Sequence, residues 1–418
     1  MSDAPVAEVA ASEPKHTAPS RARRTDLWLR STHPVVVTVL AFVASIIVGG
    51  ILIFITDTPT RKAAKYFFSS PGDTFSRGWH AVSQAYVALF EGSIFDPHTA
   101  FHGSFWHALS PLSETLLNAT PLILAGLAVG LAFRAGLFNI GAQGQLIIGA
   151  VFAGYVGFAW HLPVVLHVIV ALVAGIIGGA LWAGIAGWLK ARTGAHEVIT
   201  TIMLNYVAVA LLGYLLTENG FKRSGSNQAI SRIVDGNARL PKLFPAPLRV
   251  HAGLIIALLA AAGVAWLLNR SRLGFQLRAV GANQFAARTA GMDVGRNYIV
   301  SLVLSGALAG LAGCSQILGT NSSITGDIDA GIGFTAITVA LLGRAQPWPT
   351  VLAGLLFGAF QAGGVTMQSR TTTPIDLVNV LQSIIVLFIA APALIRALFR
   401  LRGAADTSGQ QLAKGWNG

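Results

Sequence analysis

The sequence predicts an all-α, polytopic membrane protein, and three observations carry that prediction. Apolar residues make up 53% of the chain, only 11% are charged, and the mean hydropathy is +0.63. A soluble chain of 418 residues needs far more charge to cover its surface. Apolar runs of about 20 residues recur along the chain, the length at which a helix crosses the bilayer core. The alternating pattern of a membrane barrel is absent, so the spanning backbone must satisfy itself within helices. The net charge of +12 is read by where it lies, because membrane proteins keep Lys and Arg to orient their spans, and nucleic acid is a poor inference from it. Cys314 is the single cysteine and sits in an apolar run, which excludes a disulfide and points to packing.

Residues 1–33 are rich in Ala, Ser, Pro and charge without apolar periodicity, and are expected to form a disordered cytoplasmic arm. The apolar run over 34–55 is too long for a signal-peptide core and no clear cleavage site follows, so it reads as a first transmembrane span. Over 56–110 the chain turns mixed, with Arg61, Lys62, Lys65 and Arg77 beside Trp79, Tyr86 and Trp106. Aromatic residues of this kind favour the headgroup level, which predicts an external segment with interfacial helices. A permease-like core of alternating spans then runs over 111–396, and 397–418 reads as a cytoplasmic tail.

Within that core each inward crossing ends at positive charge. The run 112–133 ends at Arg134, 164–189 at Lys190 and Arg192, 252–268 at Arg270, and 377–395 at Arg396. Outward runs fall at 137–160, 198–216, 298–318 and 351–365, and a shorter inward one ends at Arg344. The map has about ten membrane segments with both termini cytoplasmic.

Two segments break the pattern of plain spans. The first, FNIGAQGQLIIG over 138–149, puts Asn139, Gln143, Gln145 and three glycines where hydrocarbon is expected. The second, GIGFTAITVALLGR over 331–344, has an apolar part too short for a full crossing. Such backbone survives at membrane depth only where it is buried in protein or lines a cavity, and broken or re-entrant helices, one in each half of a chain, often mark a substrate path. Glycines at four-residue spacing, as in Gly126 with Gly130, Gly306 with Gly310 and Gly354 with Gly358, more commonly serve close helix packing. The three amides are assigned to the path, because amides are costly glue where glycine already suffices. Asn205, on the helix that begins near Glu197, faces the bundle interior, either hydrogen bonding or lining the path. His196 with Glu197 resembles no metal site, since no second His follows at helical spacing.

The stretch 270–296 separates two apolar runs and carries five arginines with a single acid. It is expected to be a cytoplasmic loop. Asn283 is a good N-cap, Ala286 and Ala287 are strong helix formers, and Gly291 suits a left-handed stop, which predicts a short helix from about 283 to 290. Connecting two spans needs no helix. A socket for a partner subunit is one reading and a solvated basic connector is the other.

No Gly-Lys pair, and hence no Walker A motif, occurs in the chain, nor does a G-x-S-x-G elbow. The chain cannot burn ATP by itself, and no metal or cofactor site is expected. A channel or an intramembrane enzyme is disfavoured, since an enzyme would need paired acids, a metal cluster or an activated nucleophile inside the spans.

Four stretches in order, GLFNIGAQGQLIIGA, HEVITTIMLNYVA, LGFQLRAVGANQFAARTAGM and GFTAITVALLGRAQPWPTVLAGLLFGAFQAGG, resemble permease subunits of bacterial ABC importers. The resemblance is to the branched-chain amino acid and simple sugar permease superfamily, and most closely to nucleoside importers served by basic-membrane-protein-type lipoproteins. It covers about 112–395 and implies a type II ABC importer-like fold in the bacterial inner membrane. It also implies ABC ATPase subunits, a second permease subunit in a heterodimer, a substrate-binding lipoprotein or periplasmic protein, and surrounding lipid. On this likeness Arg278, Gly281, Asn283, Ala286, Ala287, Arg288 and Gly291 would form the ATPase-coupling element. Gln143 stands where the family often has Glu, and His196 where Asn often precedes the Glu, departures that bear on the substrate and not on the fold. Nucleosides are the expected cargo, with simple sugars or branched-chain amino acids as the alternative.

Overall fold

The computed structural model describes residues 34–97, 105–371 and most of 373–399. The expected arm over 1–33 lies outside them, as does nearly all of the expected tail over 397–418. In chain order the helices are α1 (Pro34–Thr56), α2 (Thr58–Ala64), α3 (Pro71–Ser93), α4 (Phe105–Ala108), α5 (Ser110–Arg134), α6 (Ala142–Ala159), α7 (Val164–Thr193) and α8 (Glu197–Leu215). After an irregular segment over 216–252 come α9 (Gly253–Arg270), α10 (Arg272–Ala282), α11 (Gln284–Thr289), α12 (Val294–Cys314), α13 (Ile332–Leu342), α14 (Pro347–Arg370) and α15 (Asp376–Ala390). The last turns of α12 widen into a π-helix at Ser315–Thr320.

Among the described residues, eight helices are long and apolar enough to cross a membrane: α1, α5, α6, α7, α8, α9, α12 with its π-turns, and α14. Two shorter apolar helices, Ile332–Leu342 and Asp376–Phe388, fall where the sequence map has further segments. Length and composition thus support eight spans where the sequence suggested about ten.

Helix α5 is the centre of the bundle. It is apolar on all sides and buried without interruption from Ala119 to Ala132, as expected of a helix with no polar face to turn outward. Helices α12, α13 and α14 pack against it. Gly354 of α14 sits on Ile123 and Gly358 on the Thr115 carbonyl and Ala119, so the sequence spacing is a close-packing seam. A second seam joins α6, α7 and α12. Gly310 lies on the Gly175 carbonyl, Gly306 on the Gly179 carbonyl, Gly313 on the Leu146 carbonyl and Gly149 on Gly310 itself. Cys314 is buried in the same seam with its sulfur toward the Leu172 carbonyl.

The bundle has two distinct ends. At one, residues 216–252 fold over the tips of α6 and α12 through bonds from Asp235 N to the Gly157 carbonyl at 2.9 Å and Leu240 N to the Leu318 carbonyl at 2.8 Å, and Ser231 N bonds the Ile324 carbonyl just beyond. Helix α3 lies at this end across the last turns of α1 and α14, with Gly78 on Phe54 and Gly92 on Thr366. Arg370 there holds Glu91 and Asp96 at 2.7 and 2.6 Å. The opposite end carries α10 and α11, and the ion pair of Lys190 with Glu197 at 2.9 Å.

Candidate functional site

The first interruption follows α5. Arg134 closes that helix by donating from Nε to the Ala345 carbonyl at 2.8 Å and from Nη2 to the Arg344 carbonyl at 3.3 Å. The chain then turns back at Gly136, with φ of +75°, and runs without helix to Gly141. A non-helical stretch inside a bundle must find hydrogen-bond partners elsewhere. The amides supply them. Asn139 Oδ1 accepts from Gly141 N at 2.9 Å and Gln145 Nε2 at 3.0 Å, and its Nδ2 donates to Gln145 Oε1 at 3.0 Å and Ser305 Oγ at 2.8 Å. Asn205 reaches over from α8, accepting from Gly144 N and donating to the Ile140 carbonyl, both at 2.9 Å.

Asn139, Gln145 and Asn205 are 0, 1 and 3% exposed. In this conformation all three are sealed, and they fix the shape of the break. Ser305, which donates to the Ala128 carbonyl at 2.7 Å, was missed as a partner, although Asn297, Ser301 and Ser305 recur at four-residue spacing as a buried polar stripe on α12. Asn139→Ala is expected to lower the stability of the purified subunit by about 2 kcal/mol. Several buried groups lose a partner, but membrane hydrogen bonds average well under 1 kcal/mol each because the unfolded chain also finds partners. Thermal unfolding in detergent measures this, and an unchanged midpoint would show that the network is dispensable.

Gln143 behaves differently. It is half-buried, and its Nε2 donates to Asp329 Oδ2 at 3.0 Å. Asp329 belongs to the second interruption, the non-helical run over 321–331 that leads from the tip of α12 to α13. Ala330 and Gly331 there take φ of 45° and 71°, left-handed values that turn the chain into the first turn of α13. Gly333 then rests directly on the backbone of Gln143, and a β-carbon there would overlap it. The two interruptions therefore touch. Sequence reasoning missed Asp329, although an acid flanked by apolar segments was the available signal.

At the far end, Asn283 Oδ1 accepts from Phe285 N at 2.9 Å and Ala286 N at 3.0 Å, and Gly291 takes φ of +81°, so the short helix forms between the cap and stop that the residues suggest. Ala287 turns inward onto Val280 and Val294. The outward face is made of Ala286, Arg288, Thr289 and Phe285, the last 67% exposed and not anticipated. Arg278 is exposed on α10. Gly281 packs on the backbone of Arg134–Gly136, which seats the end of α10 against the start of the first interruption. Among the described residues no group of three or more His, Cys, Asp or Glu could hold a metal ion.

Residues 112–390 match the family model described as the permease component of the branched-chain amino acid transport system. The chain is 38% identical over 319 residues to the guanosine ABC transporter permease protein NupP of Bacillus subtilis, covering 76% of this chain and 88% of that protein. It is 38% identical over 321 residues to the glucose ABC transporter permease protein TsgB13 of Haloferax volcanii, covering 74% and 84% of the two chains. It is 32% identical over 319 residues to the nucleoside ABC transporter permease protein NupB of Lactococcus lactis, covering 73% and 85%. With spans long enough for a membrane and a match across most of the bundle, the chain belongs to the branched-chain amino acid transport permease family, as a membrane-embedded, non-enzymatic subunit of an ABC importer.

Proposed function

We propose that the chain carries nucleosides inward by alternating access, energised by separate ATPase subunits and supplied by a solute-binding lipoprotein or periplasmic protein, in a heterodimer with a second permease subunit. The observation that supports this reading best is the meeting of the two interrupted segments at Gln143 and Asp329. Interrupted segments that pair inside a bundle leave polar groups for a passing solute, as plain spans cannot. The relatives named for guanosine and nucleosides favour a nucleoside, and the one named for glucose keeps a simple sugar as the second reading. On this reading α13 and α15 are the ninth and tenth membrane segments, and the arginine-rich end with α10 and α11 faces the cytoplasm, where α11 docks on an ATPase subunit. Both termini then lie inside.

Uptake of labelled nucleosides, with competing sugars and branched-chain amino acids, by cells with and without this chain tests the proposal. Nucleoside uptake that does not depend on the chain would end it. For the path itself, Gln143→Leu is expected to lower maximal uptake roughly tenfold, the worth of about one hydrogen bond at a charged group. Assembly and the delivery protein's affinity should stay intact. Normal uptake by that variant would assign Gln143 to packing.

A further inference from the structure

Asp329 is 7% exposed and carries a carboxyl group between apolar helices, a placement that is costly without a use. One oxygen, Oδ2, is taken by Gln143 Nε2 at 3.0 Å and Gly331 N at 3.3 Å. The other, Oδ1, accepts from no other residue among the described residues, and it is not among the sealed polar atoms that lack a partner. Gln143 Oε1 likewise has no hydrogen-bond donor there. No lysine or arginine pairs with Asp329 among the described residues. Two open acceptors, separated by one hydrogen bond, therefore stand side by side where the interruptions meet.

Their depth follows from the helices. Helix α13 leaves this point and reaches Arg344, which Arg134 binds at the α10–α11 end, so the pair lies roughly 16 Å inside that end at 1.5 Å per residue. On the other side, Ile324 is held at the tip of α6 by Ser231. The exposed backbone of Ala330 and Gly331 borders the pair, and Phe334, 51% exposed, follows one turn later with an aromatic face.

We infer that Asp329 and Gln143 recognise adjacent hydroxyl groups on an uncharged ring, the feature shared by the pentose of a nucleoside and a hexose. This rests on the permease reading above and names the solute chemistry of the same site. Hydroxyls donate to the two open acceptors, and the second amide hydrogen of Gln143 serves a hydroxyl oxygen in return. A free amino acid suits the site poorly. Its carboxylate would stand against the Asp329 carboxylate, and no lysine or arginine pairs with Asp329 among the described residues to offset the repulsion.

A role for Asp329 as no more than a brace of the turn before α13, through its bond from Gly331 N, is separable, because Asp329→Asn keeps an oxygen for that bond while weakening acceptance from hydroxyls. The test uses the complete importer in proteoliposomes with labelled uridine, D-glucose and L-leucine, and with 2′-deoxyuridine and 2-deoxyglucose as partners lacking one hydroxyl. Asp329→Asn is expected to lower maximal uptake of the transported parent compound, uridine or glucose, about tenfold, and that of its deoxy analogue less than about threefold. The delivery protein's affinities should not change. An equal loss for parent and deoxy compound, or no loss, overturns the inference while leaving the permease reading in place. Wild-type importer that moves leucine but neither uridine nor glucose overturns both. Where Asp329→Asn does not assemble, Gln143→Met at its half-buried position carries the same contrast, with the same outcomes deciding.

Discussion

Gly310→Val is expected to leave little folded subunit. The valine side chain would drive into the Gly175 carbonyl and the Gly179 Cα, which are backbone atoms of α7 and cannot rotate aside. Overpacking of a core typically costs 1–3 kcal/mol even where side chains can yield, so about 3 kcal/mol or more is expected here, out of a total stability on the order of 10 kcal/mol. The same position also touches Gly149 of α6, so separating α7 from α12 disturbs three helices together. Gly263→Val is the control, since nothing lies within 4 Å of a β-carbon there. Yield of monodisperse protein from detergent extracts and its melting temperature report the outcome. Wild-type values for Gly310→Val would show that the seam has slack that its geometry does not suggest.

Ala286→Trp is expected to uncouple transport from ATP hydrolysis. Helix α11 presents Ala286 outward between Phe285 and Arg288, so a large side chain there blocks close approach by a partner without disturbing the subunit. The neighbouring Ala287 is unsuitable for this purpose, because it packs on Val280 and Val294 and a tryptophan would break the loop itself. Any movement of α11 has a physical route inward. The route runs through α10 to Gly281, which sits on the Arg134–Gly136 backbone where the first interruption begins. ATP binding can bias the membrane subunit only through contacts that differ between its states, and this contact is suited to that use. Solute-stimulated ATPase activity of the reconstituted importer should fall by tenfold or more, while the delivery protein still binds its solute. Retention of both the ATPase partner and full transport would demote the loop to a connector, and the coupling site would be sought near Lys190 or Arg344.

Much of this was legible in the residues. Composition and run length give a helical membrane protein, the four motifs give the permease resemblance, and Asn283 and Gly291 mark the ends of α11, because capping and stopping are decided by a few neighbouring residues. Glycine spacing likewise pointed to close packing, which the contacts of Gly306, Gly310, Gly354 and Gly358 show. The amides were visible as polar residues in an apolar run, but their surroundings were not. Asn139 meets Ser305 across 166 residues, and Gln143 meets Asp329 across 186. Helices such as α5 and α6 are apolar on all sides, so their sequences carry no polar face to say which neighbour each side chain will meet. Only the packing of the bundle decided that Asn139 and Gln145 close on each other, that Asn205 closes on the backbone of Ile140 and Gly144, that Gln143 is left to Asp329, and that Ala287 turns inward and Phe285 outward. Local chemistry ends at about one helical turn, whereas these partners are set by which glycines let two backbones approach.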